Sequence, residues 1–253
     1  MLEYAPKGLI GVLTPQANTT AEPELSILAP PGYATIAARL TSTRATMDAR
    51  LVDYLEGIDA TLDQFANAPV GAVAFACTGA SYLVTPERGA EIVQAIEKAR
   101  GYAFVTAADA VFDAIAVLGA RRVGIVSPYA GALHEKCLAY WPARGVNIAR
   151  VVQIESAGGA FHPIYALGAS ASAEGVAAVG TDVDVVAMLG TGLPTLPAIL
   201  GSAGGHVPVI SPNLCLMWRI VLAITGEAPS AANLKPWIAG DGWGERLTAR
   251  LAG

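Results

Sequence analysis

Three short stretches of this chain occur twice, in the same order. Gly11-Val-Leu-Thr-Pro15 matches Gly124-Ile-Val-Ser-Pro128 at a displacement of 113 residues, and the run from Ala72 to Gly79 matches that from Val185 to Gly192 at the same displacement. The run from Tyr102 to Thr106 then matches Val207 to Ser211 at a displacement of 105. Each stretch is a short run of mostly Val, Ile, Ala, Leu or Phe that ends among small or hydroxyl residues, which is how a buried strand reads. A fixed order of strand ends, repeated once, limits the fold to two related halves joined in series.

The segments between these stretches complete the pattern. Strands are expected over residues 9–14, 35–40, 72–76, 102–106, 123–127, 147–154, 183–189 and 207–211, with helix-period segments at 48–65, 87–100, 108–118, 131–141 and 195–202. Continuous apolar strands alternating with helices indicate an α/β fold with parallel sheets covered on both faces. In such sheets ligands sit beyond the carboxyl ends of the strands. Those ends read Thr14-Pro15, Cys77-Thr78-Gly79, Thr106, Ser127-Pro128, Gly190-Thr191-Gly192 and Ser211-Pro212. Two pseudo-symmetric halves facing each other would enclose one cleft, with Cys77 and Gly190 in mirror positions across it. The expected division is residues 1–113 and 114–212, with 213–253 helical at first and packing back on the first half.

Composition excludes several classes of function. The chain has 253 residues, 53% of them hydrophobic and only 15% charged, with a net charge of −5 and no basic stripe. Nucleic acid is therefore not an expected partner. No apolar run approaches the roughly 20 residues that span a bilayer, and the segment from Met1 to Lys7 has no signal-peptide core. The three cysteines, Cys77, Cys137 and Cys215, show no CxxC spacing, and His134, His162 and His206 are scattered, so neither a disulfide framework nor a metal site is expected. A reducing, cytoplasmic setting fits. Gly8-Leu-Ile-Gly-Val-Leu13 lacks the spacing of a nucleotide loop, and no cofactor is expected. A chain so rich in small apolar residues can form a homodimer, although no segment marks an interface.

Cys77 is the leading candidate for chemistry. It ends a buried strand and precedes Thr78 and Gly79, where exposed backbone N–H groups are expected to lower a thiol pKa; a buried structural cysteine is the alternative. Cys137 and Cys215 lie in apolar helical patterns and read as structural. Pro15, Thr78, Gly79, Gly190 and Thr191 are candidate substrate-binding positions by their place at strand ends, with tight turns as the alternative at the Thr-Gly pairs. Asn18 could donate to a carboxylate or cap a helix. Tyr129, just after Ser127-Pro128, could stabilise an enolate or be a packed aromatic with a wet tip. His134 and His162 read as surface residues; Trp218, Trp237 and Trp243 read as core or interface.

These residues resemble a known family. The run Leu13-Thr-Pro-Gln-Ala-Asn18-Thr-Thr, the strand end Phe75-Ala-Cys77, the run from Ser127-Pro-Tyr129 to Lys136 and the run from Gly192 to Pro197 are similar to maleate cis-trans isomerases and to arylmalonate decarboxylases, both of the aspartate/glutamate racemase superfamily. The resemblance covers nearly the whole chain in order. It implies two flavodoxin-like halves with the active site between them, and no metal, pyridoxal phosphate or nucleotide. Asn18 and Tyr129 fall where isomerases hold a substrate carboxylate, and Cys77 on the first of two catalytic cysteines.

The second of those cysteines is replaced by Gly190. Racemisation through an acid and a base on opposite faces then lacks one partner. Arylmalonate decarboxylases use one cysteine, but theirs stands in the second half, so protonation from Cys77 would occur on the inverted face. The resemblance thus implies a cofactor-independent carbon-acid enzyme acting on a small carboxylate or dicarboxylate. Decarboxylation of a malonate-type acid, with Cys77 protonating the enolate, is the leading expectation. Cis-trans isomerisation of a maleate-type diacid with Cys77 as nucleophile, or non-catalytic carboxylate binding, are the alternatives.

Overall fold

The computed structural model describes residues 2–155 and 163–252; the sequence expectation for His162 lies outside them. The first half runs β1 (Gly8–Pro15), α1 (Ala21–Leu28), β2 (Tyr33–Leu40), α2 (Met47–Glu56), α3 (Ile58–Leu62), β3 (Val70–Phe75), α4 (Thr78–Ser81), α5 (Pro86–Arg100), β4 (Ala103–Thr106) and α6 (Ala107–Val117). The second continues with β5 (Val123–Ser127), α7 (Gly131–Ala143), β6 (Ile148–Gln153), α8 (Ala169–Val179), β7 (Val185–Met188), α9 (Leu196–Ser202) and β8 (Val209–Ile210). Three helices close the chain: α10 (Pro212–Thr225), α11 (Ala231–Ala239) and α12 (Gly244–Leu251).

The strands form two four-stranded parallel sheets, ordered β2-β1-β3-β4 and β6-β5-β7-β8. One topology is used twice, and the displacements read from sequence reappear in the pairing. Gly11 pairs with Val73 in the first sheet and Gly124 with Val186 in the second, both partners displaced by 113. Val73 pairs with Phe104 and Val186 with Val209, the latter partner displaced by 105. The glycine kept at this strand position has a packing cause. A Cβ on Gly11 would lie 2.9 Å from the Phe65 ring, and one on Gly124 would overlap Val179.

Strand expectations match the eight strands seen among the described residues to within two residues at every end. The helix expected over 48–65 is in fact α2, α3 and a 3-10 turn (Asp63–Phe65), interrupted at Gly57. Helices α1, α4, α8, α11 and α12 carried no distinct signal. Several helices start on side-chain caps: Thr46 for α2, Thr85 for α5, Thr106 for α6 and Ser211 for α10. Such caps contribute about 1 kcal/mol each.

Helix α10 packs against β3, β4, α1 and α6. Its run Leu214-Cys215-Leu216-Met217-Trp218 is fully buried; each large side chain so placed contributes about 1.5–3 kcal/mol relative to exposure. Trp243 is buried as well, and Trp237 is half-buried. Among the described residues no helix is long and apolar enough to cross a membrane.

Candidate active site

The carboxyl ends of the two sheets meet, and a cleft lined by residues of both halves lies between them. Strand β3 runs out through Ala76 to Cys77, which precedes the single turn α4. Cys77 lines the cleft yet is only 3% exposed. Burial pushes its thiol up to about 12; the N–H groups of Ala80 and Gly79 face the sulfur and oppose this only in part. The expected lowering of the thiol pKa is thus corrected. A strand end supplies dipoles, but here they do not offset the loss of water, and the resting group is a neutral thiol.

Thr78 and Tyr129 come from opposite sheets and meet at 2.6 Å, hydroxyl to phenol. Whichever of the two donates, the pair keeps one further proton for a ligand in the cleft. The Tyr129 ring is 6% exposed and packs edge-on against Tyr82, with centroids 5.7 Å apart.

Thr191 lines the cleft, but its hydroxyl donates to the Ala76 carbonyl at 2.8 Å and accepts from the Asn18 amide at 3.2 Å. Asn18 is buried and is not among the residues lining the cleft. Its Oδ1 accepts from the Thr20 and Ala21 N–H groups at the start of α1. The side chain thus holds the turn that leads into α1, whose N-cap is Thr20, and it braces Thr191. Pro15 and Gly79 line the cleft; Gly190 does not.

Gly190 has φ +85, and a Cβ there would stand 2.6 Å from Ile164 Cδ1 and 2.9 Å from Pro128 Cγ. The place of a second thiol is closed by backbone conformation and by these neighbours. His134, expected at the surface, is half-buried, with Nδ1 2.9 Å from the Ser127 hydroxyl.

Behind the cleft, Glu24 on α1 is fully enclosed. Its carboxyl accepts from the Thr195 N–H at 2.6 Å, the Leu196 N–H at 3.1 Å and the Asn213 amide at 2.8 Å. Asn213 also donates to the Thr191 carbonyl at 3.0 Å. Burial raises the Glu24 carboxyl, and these donors work against the rise.

Sequence reasoning passed over the wall formed by α2. Met47, Arg50, Leu51 and Tyr54 share one helical face and line the cleft, opposed by Leu133, Ile164 and Tyr165. The 47, 50, 51, 54 spacing was legible as a buried face. The one discordant signal was the arginine inside it. Burial raises the phenols of Tyr54 and Tyr165, and both sense Cys77. Among the described residues no group of three or more His, Cys, Asp or Glu is placed to hold a metal ion.

The fold recurs in solved structures. The maleate isomerase Iso from Pseudomonas putida S16 superposes with a TM-score of 0.77 at 22% identity, over 92% of this chain and 99% of that one. A Nocardia farcinica maleate cis-trans isomerase mutant with a covalently bound succinylcysteine intermediate gives 0.76 at 20%, over 90% and 98%. A liganded arylmalonate decarboxylase mutant, with one glycine changed to cysteine and one cysteine to serine, gives 0.71 at 18%, over 87% and 94%. No curated protein matches the sequence. The model of the arylmalonate decarboxylase family matches residues 10–235, and the chain belongs to that family.

Proposed function

We propose that this member of the arylmalonate decarboxylase family decarboxylates a small malonate-type acid through an enolate, with Cys77 as the proton donor and no cofactor. The observation that carries the reading is the state of the thiol. A nucleophilic or base cysteine should rest as thiolate near neutral pH, whereas Cys77 is buried and its pKa is pushed up to about 12. A group held neutral in an apolar wall is suited to give a proton, not to attack.

The chemistry follows from the residues. One carboxylate of the substrate accepts the proton offered by the Thr78–Tyr129 pair. The other lies against apolar wall such as Leu51 and Leu133, where an ion is poorly solvated and loss as neutral CO₂ is favoured. The Cα–carboxylate bond breaks, its electron pair passes into the retained carboxylate as an enediolate, and the hydroxyl pair meets the developing charge. Cys77 then transfers its proton to Cα, and the thiolate left behind takes a proton from water. Gly190 offers no second acid, so protonation is confined to the Cys77 face.

Two readings compete. Cis-trans isomerisation of a maleate-type diacid would need Cys77 to add as a thiolate, and the raised pKa disfavours that. A purely carboxylate-binding protein would turn over nothing. Incubation with phenylmalonate, methylmalonate, ethane-1,1,2-tricarboxylate and maleate, followed by assays for CO₂ and fumarate, separates the three. CO₂ from a malonate supports the proposal; fumarate alone, or no product at all, contradicts it.

A further inference from the structure

We propose that Arg50 recognises a second anionic group on the substrate, distal to the reacting malonate carbon, so that the preferred acid carries a carboxylate-bearing side chain instead of an uncharged aryl or alkyl one. The inference rests on the carbon-acid reading above and deepens it.

Arg50 is the only charged residue among the described residues lining the cleft, which it shares with Cys77, Thr78 and Tyr129. It forms no ion pair among the described residues. The acids flanking it on α2 are engaged elsewhere: Asp48 with Lys136 at 2.7 Å, Asp53 with Arg44 at 3.3 Å and with the Ser42 hydroxyl at 2.6 Å. The Arg50 Nε donates to the Arg44 carbonyl at 2.6 Å, which fixes the plane of the guanidinium and leaves its terminal nitrogens as donors. A half-buried, oriented guanidinium with no counter-ion and no other charge in the cleft among the described residues is a carboxylate receptor by chemistry.

The carboxylate it holds cannot be the one that leaves. A cation stabilises the ionised ground state and loses that interaction as neutral CO₂ forms, which raises the barrier. Nor is Arg50 needed for the retained carboxylate, which the Thr78–Tyr129 pair receives. A third anionic group, on the side chain, is what remains. It also gives the chain a means of rejecting neutral side chains, since binding them would bury the guanidinium uncompensated.

Isothermal titration of the wild-type protein and of Arg50→Gln with succinate against butyrate, and glutarate against pentanoate, tests this without requiring turnover. At least one diacid should bind the wild type tenfold or more tightly than its monoacid. That preference should fall to within twofold in Arg50→Gln and return in part in Arg50→Lys, with all variants melting within a few degrees of the wild type. Absence of any diacid preference in the wild type, or its survival in Arg50→Gln, overturns the proposal. Turnover provides the second arm: ethane-1,1,2-tricarboxylate should release CO₂ at least tenfold faster than methylmalonate. An Arg50-dependent diacid preference with no CO₂ from any malonate would uphold the role of Arg50 and overturn the decarboxylase reading.

Discussion

The Thr78 hydroxyl and the Tyr129 phenol, brought together from two sheets, lie 2.6 Å apart at the floor of the cleft beside Cys77. Two hydroxyls this close share one proton and offer the other. Tyr129→Phe and Thr78→Val should each lower kcat/KM by roughly 10²–10³, the loss typical of one preorganised oxyanion donor. The double variant should be little worse than the poorer single variant, because the pair acts as a unit. Steady-state kinetics of the four proteins check this; fully multiplicative losses would mean that the two hydroxyls act separately.

Cys77 should react slowly with alkylating agents. With the thiol pushed up to about 12, carbamidomethylation by iodoacetamide should rise roughly tenfold per pH unit from pH 7 to beyond pH 10, with no plateau near 8.5. Mass spectrometry of the Cys77 peptide reads the rate directly. The same shift bears on stability. A thiol whose folded pKa lies above its ordinary 9.0 favours folding up to that pH and loses the contribution as pH climbs towards 12. The Tm should therefore fall above pH 9, and fall less in Cys77→Ala.

Restoring a second cysteine should not create a two-thiol enzyme. At Gly190 the positive φ and the approach of Ile164 and Pro128 both oppose a side chain. Gly190→Cys should cost about 1–3 kcal/mol from the backbone alone, lower the Tm by several degrees, and yield no racemisation of a chiral 2-substituted acid in D₂O. Rapid exchange with racemisation would contradict this.

Glu24 should matter for stability more than for any chemical step. Truncation to Ala leaves the Thr195 and Leu196 N–H groups and the Asn213 amide without their acceptor in a buried site. A loss of about 3 kcal/mol is expected, read as a lower urea midpoint with unchanged slope.

Much of the fold was legible because the duplication sits in the strands. The displacements of 113 and 105 reappear in the pairings of Gly11 with Val73, Gly124 with Val186 and Val186 with Val209. The site was legible in part. Cys77, Thr78, Gly79, Tyr129, Pro15 and Thr191 all line one cleft. What the sequence could not carry was long-range: the Asn18 amide meets Thr191, 173 residues away, so a residue read as a ligand contact became a brace. The thiol pKa depends on how much water the closed sheet ends exclude, which no local motif encodes. The α2 wall reads as an ordinary buried helix face, and Arg50 was not among the candidate site residues.

The central claim is that a neutral Cys77 thiol delivers the proton that ends decarboxylation. The most direct measurement is turnover of propane-1,2,2-tricarboxylate, a prochiral 2-methylmalonate with a carboxymethyl side chain, by wild type and Cys77→Ala, with CO₂ release and the methylsuccinate enantiomers followed together. The account predicts one enantiomer in large excess from the wild type, and loss of turnover by roughly 10²–10⁴ in Cys77→Ala, the range one general acid contributes. Retained turnover with the same enantiomeric excess in Cys77→Ala would contradict it.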